Sequence, residues 1–225
     1  MFFNPLTFLF MIVFFFVLVF FFITVQINII ALAFARLGIP SQHVFMAMFA
    51  SLFGSFINIP LKKIPQETMT TETWVSYFGF RHVVPVWRQK DTVLAVNLGG
   101  AVIPTLLSMY LLLKTGLWGG AVVATAIMSF VTFKLAKPVR GVGIALPAFV
   151  PPVVAALVSI MIAGGNAPVV AYVSGTLGTL IGADLLNLKR IGNLGAPVAS
   201  IGGAGTFDGI FLNGILAVLL AAILA

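Results

Sequence analysis

The chain has 225 residues, of which 61% are hydrophobic and 8% charged, with a formal net charge of +7 and a mean hydropathy of +1.18. Soluble domains carry about a quarter charged residues, so a soluble globule is excluded for want of polar surface and a membrane protein is indicated. The absence of cysteine excludes disulfides, zinc–thiolate sites and thiol nucleophiles, and no basic stripe or motif of a nucleic-acid binder is present.

The first apolar segment runs from about Leu6 to Ala35, rich in phenylalanine, and suits lipid contact. Ala31-Leu32-Ala33 has the small-x-small form of a cleavage site. The apolar run before it is too long for a signal peptide and no Lys or Arg precedes it, so an uncleaved transmembrane helix is expected. The second segment, about His43 to Ile59, is short and rich in small residues, and fits a span or a re-entrant segment. Residues 60–91 form the one substantial polar stretch, with Trp74, Tyr77 and Trp87 among its charges. That mixture favours the headgroup layer, and Pro65 and Pro85 argue against one continuous helix there, so an interfacial hairpin or broken amphipathic segment is expected.

A third helix is expected from about Thr92 to Leu113, with Asn97-Leu98-Gly99-Gly100 and Pro104 inside it. A fourth spans about Leu117 to Phe133. The fifth, about Val142 to Ala163, carries Pro147, Pro151 and Pro152, which remove helical hydrogen bonds and should kink or break it. The sixth runs from about Pro168 to Leu188 and the seventh from about Thr206 to Ala225, joined by a Gly-rich connector. The expected fold is therefore all-α: one polytopic transmembrane helical bundle of about seven helices over residues 1–225, with helices three and five interrupted. No internal repeat of 20–50 residues stands out.

Loop charges orient this bundle. With seven crossings, Lys62, Lys63, Arg81, Arg88, Lys90, Lys134, Lys137, Arg140, Lys189 and Arg190 fall on one side, and only Arg36 and Lys114 on the other. Positive charge stays cytoplasmic, which predicts an inner-membrane protein with its N-terminus inside. A re-entrant second segment would move the N-terminus outside and leave the basic loops inside.

Two acids stand apart from the polar stretch. Asp184 ends helix six and Asp208 opens helix seven. Ionisable groups at membrane depth are costly, so each marks a candidate site. Two carboxyls brought together share a proton and supply an acid and a base; the same pair can bind a cation or pass a proton. Gly182, Gly203 and Gly205 would let a substrate backbone approach, and Asn213, about 7.5 Å deeper along helix seven, would add a polar contact. Plainer roles compete. Asp208 in a first helical turn can serve the helix dipole, and Asp184 can pair with Lys189 or Arg190. Gly178-x-x-x-Gly182 matches the spacing that lets helices pack closely, and Asn213 can bond across helices. His43 and His82 read as interfacial, and Gly141-Val142-Gly143 lacks the context of a phosphate loop. No motif implies a metal or cofactor.

The runs Gly178-Thr179-Leu180-Ile181-Gly182-Ala183-Asp184-Leu185-Leu186 and Ile201-Gly202-Gly203-Ala204-Gly205-Thr206-Phe207-Asp208-Gly209-Ile210-Phe211, with Ala145-Leu146-Pro147-Ala148 and Pro151-Pro152, resemble the hallmark of an uncharacterised prokaryotic membrane-protein family, domain of unknown function 1614. The resemblance covers about Ala33 to the C-terminus and implies no activity. The pair Asp184 and Asp208 also loosely resembles the two catalytic acids of the GxGD intramembrane aspartyl proteases. A literal GxGD is absent: Ala183 and Ile181 precede Asp184, and Phe207 and Gly205 precede Asp208. Three functions thus stand open: an ion- or proton-coupled small-molecule transporter, an intramembrane diaspartyl hydrolase acting on a membrane peptide, and a structural or accessory membrane factor. Beyond the lipid bilayer, neither partner nor oligomeric state is legible.

Overall fold

The fold was analysed in a computed structural model that describes residues 5–75, 81–139, 143–191, 197–203 and 207–225. Helix α1 (Pro5–Arg36) and helix α2 (Ser41–Gly54) come first, and a long antiparallel ribbon follows, β1 (Asn58–Val75) with β2 (Arg81–Asn97). A π-helical turn at Leu98–Val102 leads into α3 (Ile103–Thr115), and α4 (Trp118–Leu135) returns. The short pair β3 (Lys137–Val139) and β4 (Gly143–Ala145) precedes α5 (Val150–Ala163) and α6 (Ala167–Thr179). A second π turn, Leu180–Asp184, a 3-10 turn and the short α7 (Leu188–Ile191) lead to β5 (Val198–Ile201) and α8 (Phe207–Leu224).

Among the described residues, four stretches are long and apolar enough to cross a bilayer: Val13–Ala33, Leu98–Thr115, Trp118–Leu135 and Val150–Asn187. The last folds back at Gly164–Asn166 into α5 and α6, which pack side by side. Its turn begins at Gly164, whose φ of 50° and ψ of −121° suit glycine. On α1, Phe14, Phe15, Phe16, Phe20 and Phe22 are all exposed, as side chains facing lipid would be.

The bundle is built around α6. Every residue of α6 except Leu177 is buried, among α3, α4, α5 and α8. Small residues make this possible, because apolar helices in lipid associate by close packing rather than by a hydrophobic drive. A Cβ on Gly178 would overlap Met128, and one on Gly182 would overlap Thr132 Oγ1 and the Ser129 carbonyl oxygen. Ala155, Ala156, Ala171, Ala217 and Ala221 fill the α5–α6–α8 interface, all at 1% exposure or less.

The strands correct the all-α expectation. The stretch expected as an interfacial hairpin or broken amphipathic segment is β-ribbon, and β2 continues through Asn97, so the third helix does not start at Thr92. Residues 93–96 form a short apolar run with β-branched Val93 and Val96, a pattern that short strands and buried helices share. Here pairing decides: Val93–Val96 lie between β1 and β5, with β5 parallel to β2.

Proline placement corrects the second interruption. Pro151 and Pro152 open α5 instead of breaking it, Pro147 lies before the helix, and Pro104 and Pro168 open α3 and α6. The first helical turn has no use for those N–H groups, so proline costs nothing there.

The connections gather at two ends. Lys114 Nζ donates to the Gly38 carbonyl oxygen at 2.7 Å, joining the α1–α2 and α3–α4 turns. At the other end β5 pairs with β2, and Ala136, Ile144, Ala183 and Ala199 form one apolar cluster that brings in the β3–β4 pair.

Candidate functional site

Three irregular pieces of backbone meet at the strand end of the bundle. β2 and β5 run parallel in register Val96↔Ile201, and a glycine pair follows each, Gly99-Gly100 with only Leu98 between it and the end of β2, and Gly202-Gly203 directly after β5. The two turns touch. Gly202 has φ +70°, and a Cβ on it would lie 2.7 Å from both the Ala101 nitrogen and the Gly100 carbonyl carbon. Gly203 is buried and donates its N–H to the Ser200 carbonyl oxygen at 3.2 Å. The third piece is the π turn that ends α6 at Asp184. Non-helical backbone at membrane depth persists only where protein or water satisfies its polar groups, and π turns are frequent at functional sites.

Side chains close this junction. Asp184 is 1% exposed and its Oδ2 accepts the Gly202 N–H at 2.6 Å, so the acid ending α6 holds the turn after β5. Asn97 caps the first π turn: its Oδ1 accepts the Gly100 N–H at 2.8 Å, and its Nδ2 donates to the Ser55 carbonyl oxygen at 2.6 Å and to Asn58 Oδ1 at 3.0 Å. Ser200 Oγ also donates to Asn58 Oδ1, tying β5 to β1. Ser51 Oγ donates to the Gly99 carbonyl oxygen at 2.6 Å, fixing α2 against the same turn. A shallow apolar hollow of about 320 Å³ opens beside this network, lined by Val96, Ala101, Thr105, Leu180, Leu185 and Ile201.

A series of polar contacts continues along α6 into the bundle. Asn213 of α8 donates from Nδ2 to the Gly175 carbonyl oxygen at 3.0 Å and to Thr179 Oγ1, while its Oδ1 is buried with no hydrogen-bond partner. Thr132 Oγ1 donates to the Gly178 carbonyl oxygen at 2.9 Å, and Ser159 and Ser174 face each other at 3.4 Å. Asn187 Nδ2 donates to the Gly182 and Ala183 carbonyl oxygens at 3.1 and 3.0 Å.

The predicted residues are distributed as follows. Asp184 and Gly203 share the junction, and Asn213 lies deeper, on Gly175 and on Thr179, the residue directly before the π segment. Gly182 faces α4, in the close packing its spacing suggested. Asp208 sits in the first turn of α8, but its side chain and Gly205 lie outside the described residues, as does the His82 side chain. Arg190, a candidate partner of Asp184, donates to Asn187 Oδ1 at 3.3 Å and stacks over Phe133 at 5.6 Å. Among the described residues no three His, Asp or Glu side chains gather to hold a metal ion. Asn58, Ser200 and the turn at Gly202 were not singled out from sequence. The signal that marks them is the repeated Gly-Gly-Ala at 99–101 and 202–204, each after an apolar residue that ends a strand or lies just past one.

Four apolar stretches of membrane-spanning length among the described residues and a row of exposed phenylalanines on α1 define a membrane protein. Residues 52–220, well over half of the chain, match the model of the family described as a protein of unknown function, DUF1614, and the chain belongs to that family. No curated protein and no solved structure matches it. The likeness to GxGD proteases rests on no such match.

Proposed function

We propose that this is a multi-pass inner-membrane protein that moves a proton or small cation, coupled to a small solute, through the junction at Asp184. The observation that carries the reading is a carboxylate buried where a broken helix, a strand end and a glycine turn converge. Interrupted backbone that surrounds an acid inside a helical bundle is how secondary carriers hold coupling ions. The hollow at Val96 and Leu180 lies next to the junction, lined by Ala101 and Ile201, which flank its two glycine turns. The Thr179–Asn213 pair, with its unmet amide oxygen, supplies a polar step deeper in the bundle. Gly203 and Gly205 would let a solute approach the backbone, and Asp208 would serve as the second acid.

The loop charges support an orientation with the strand end cytoplasmic, since among the described residues nine of the ten basic residues counted above belong to elements at that end, and Arg36 and Lys114 to the other. The N-terminus is then cytoplasmic.

A second reading has its own support. The bond from Gly202 to Asp184 fastens β5 onto α6, which is what a structural or accessory membrane factor would need of that acid. A two-acid hydrolase requires in addition that Asp208 reach Asp184.

Proteoliposomes separate these readings. With a pH-sensitive or sodium-sensitive dye inside, an imposed potential and a mixture of small solutes outside, the carrier reading expects wild-type protein to take up protons or sodium and Asp184→Asn not to. Wild-type protein that conducts neither ion under any gradient would end it. A stable Asp184→Asn protein with full flux would leave the acid a structural role.

A further inference from the structure

The end of the bundle opposite the strands holds a cavity that the Asp184 junction does not use. α1 ends at Arg36, the chain turns at Gly38 with φ 69°, and the last turn of α3 brings Lys114 beside this turn. Between α2 and α3 lies a slot of about 470 Å³, lined chiefly by Ile39, Pro40, His43, Met46, Ala47 and Tyr110. That size suits a small-molecule ligand. Its walls are largely apolar, and Met46 and Tyr110 are 65% and 49% exposed, so it opens sideways, where lipid lies around a spanning bundle.

The mouth is cationic. Lys114 Nζ lies at its edge, donating at 2.7 Å to the carbonyl oxygen of Gly38, which precedes the lining residue Ile39, and lying 5.8 Å from the ring centroid of the lining residue Tyr110. An ammonium has three donors, and Gly38 takes one of them. Arg36, exposed in the last turn of α1, is two residues from Gly38. Glu67, Glu72 and Asp91 lie in the β1–β2 ribbon, Asp184 at the β5 junction and Asp208 in the first turn of α8. This end therefore carries cations and no acidic side chain among the described residues. An apolar slot with an unneutralised cation at its lip complements an amphiphilic anion.

We infer that the slot takes one acyl chain of an anionic phospholipid, whose phosphate binds at Lys114. The Tyr110 ring lies along the upper part of the chain, and Met46 adapts to its bends, as a thioether side chain does.

The test uses the full-length protein in detergent, incubated with phosphatidylglycerol or with phosphatidylcholine carrying the same palmitoyl and oleoyl chains. Retained lipid is counted by native mass spectrometry. Wild-type protein is expected to retain phosphatidylglycerol over phosphatidylcholine by about tenfold, the size of one charge-assisted contact. Lys114→Gln should abolish that preference and Lys114→Arg should keep it. Met46→Trp should fill the slot and lower retention of phosphatidylglycerol. Equal retention of the two lipids by wild-type protein would overturn the inference, as would a preference that survives Lys114→Gln. Displacement of the lipid by glycerol 3-phosphate as effectively as by phosphatidylglycerol would also overturn it, since the slot would then play no part. Should Lys114→Gln fail to fold, Met46→Trp decides: reduced retention supports the slot, and unchanged retention refutes it.

Discussion

Gly182→Ala is expected to damage the α4–α6 contact rather than to tune a binding site. A Cβ there would overlap Thr132 Oγ1 and the carbonyl oxygen of Ser129. The second of these is backbone and cannot rotate away, so the helices must separate. Overpacking of this kind costs about 1–3 kcal/mol. Moving Thr132 also breaks its bond to the Gly178 carbonyl oxygen, and an interhelical bond in a membrane protein contributes about 0.6–1 kcal/mol. The sum is about 2–4 kcal/mol, and a chain of this size loses about 2–4 °C in Tm per kcal/mol, so a fall of roughly 10 °C is expected. Thermal unfolding in detergent, followed by tryptophan fluorescence, reads it directly. Gly119→Ala is the control, because a Cβ there meets nothing within 4 Å, and it should shift Tm little. A Gly182→Ala protein as stable as wild type would refute the packing argument and return Gly182 to the substrate role its place beside Asp184 suggests.

Asp184→Ala leaves the Gly202 N–H without its acceptor and should cost about 2–3 kcal/mol, while Asp184→Asn keeps an acceptor and should cost about 1 kcal/mol. Hydrogen exchange at the Gly202 amide distinguishes them, and equal protection in both variants would contradict the assigned bond. Asn97→Ala removes a cap and two donor contacts at once, and a loss of about 2–3 kcal/mol in thermal unfolding is expected; a loss below about 0.5 kcal/mol would show that the π turn holds without it. Gly202→Ala meets left-handed backbone as well as the Ala101 nitrogen, so β5 should lose its amide protection against exchange. Protection equal to wild type would mean that the two glycine turns do not touch in solution.

The helical part of this fold is legible in the sequence because lipid demands long apolar runs, and those runs survive any error at their ends. The strands were harder to see. Residues 68–75 and 83–86 hold Thr68, Thr70, Thr71, Thr73, Val75, Val83, Val84 and Val86, a β-branched enrichment that marks strand, but their charges and aromatic residues fit an interfacial segment equally well. Val198–Ile201 is four residues inside a Gly-rich connector, and only its pairing with β2, about 100 residues earlier, makes it a strand. The prolines of helix five were visible as interruptions, yet whether proline starts or breaks a helix depends on where the helix begins, which apolar composition does not fix. At the candidate site, Asp184 was legible as an acid in an apolar run. Its bond to Gly202 was not, because nothing local links positions 184 and 202.

Whether proton or sodium flux depends on Asp184 tests the account most directly. Wild-type, Asp184→Asn and Asp208→Asn proteins are reconstituted side by side, and dye-reported flux is read alongside Tm for each. The account predicts that Asp184→Asn keeps its Tm within about 4 °C of wild type and loses flux at least about tenfold. An Asp184→Asn protein that is folded and conducts as wild type does would contradict it.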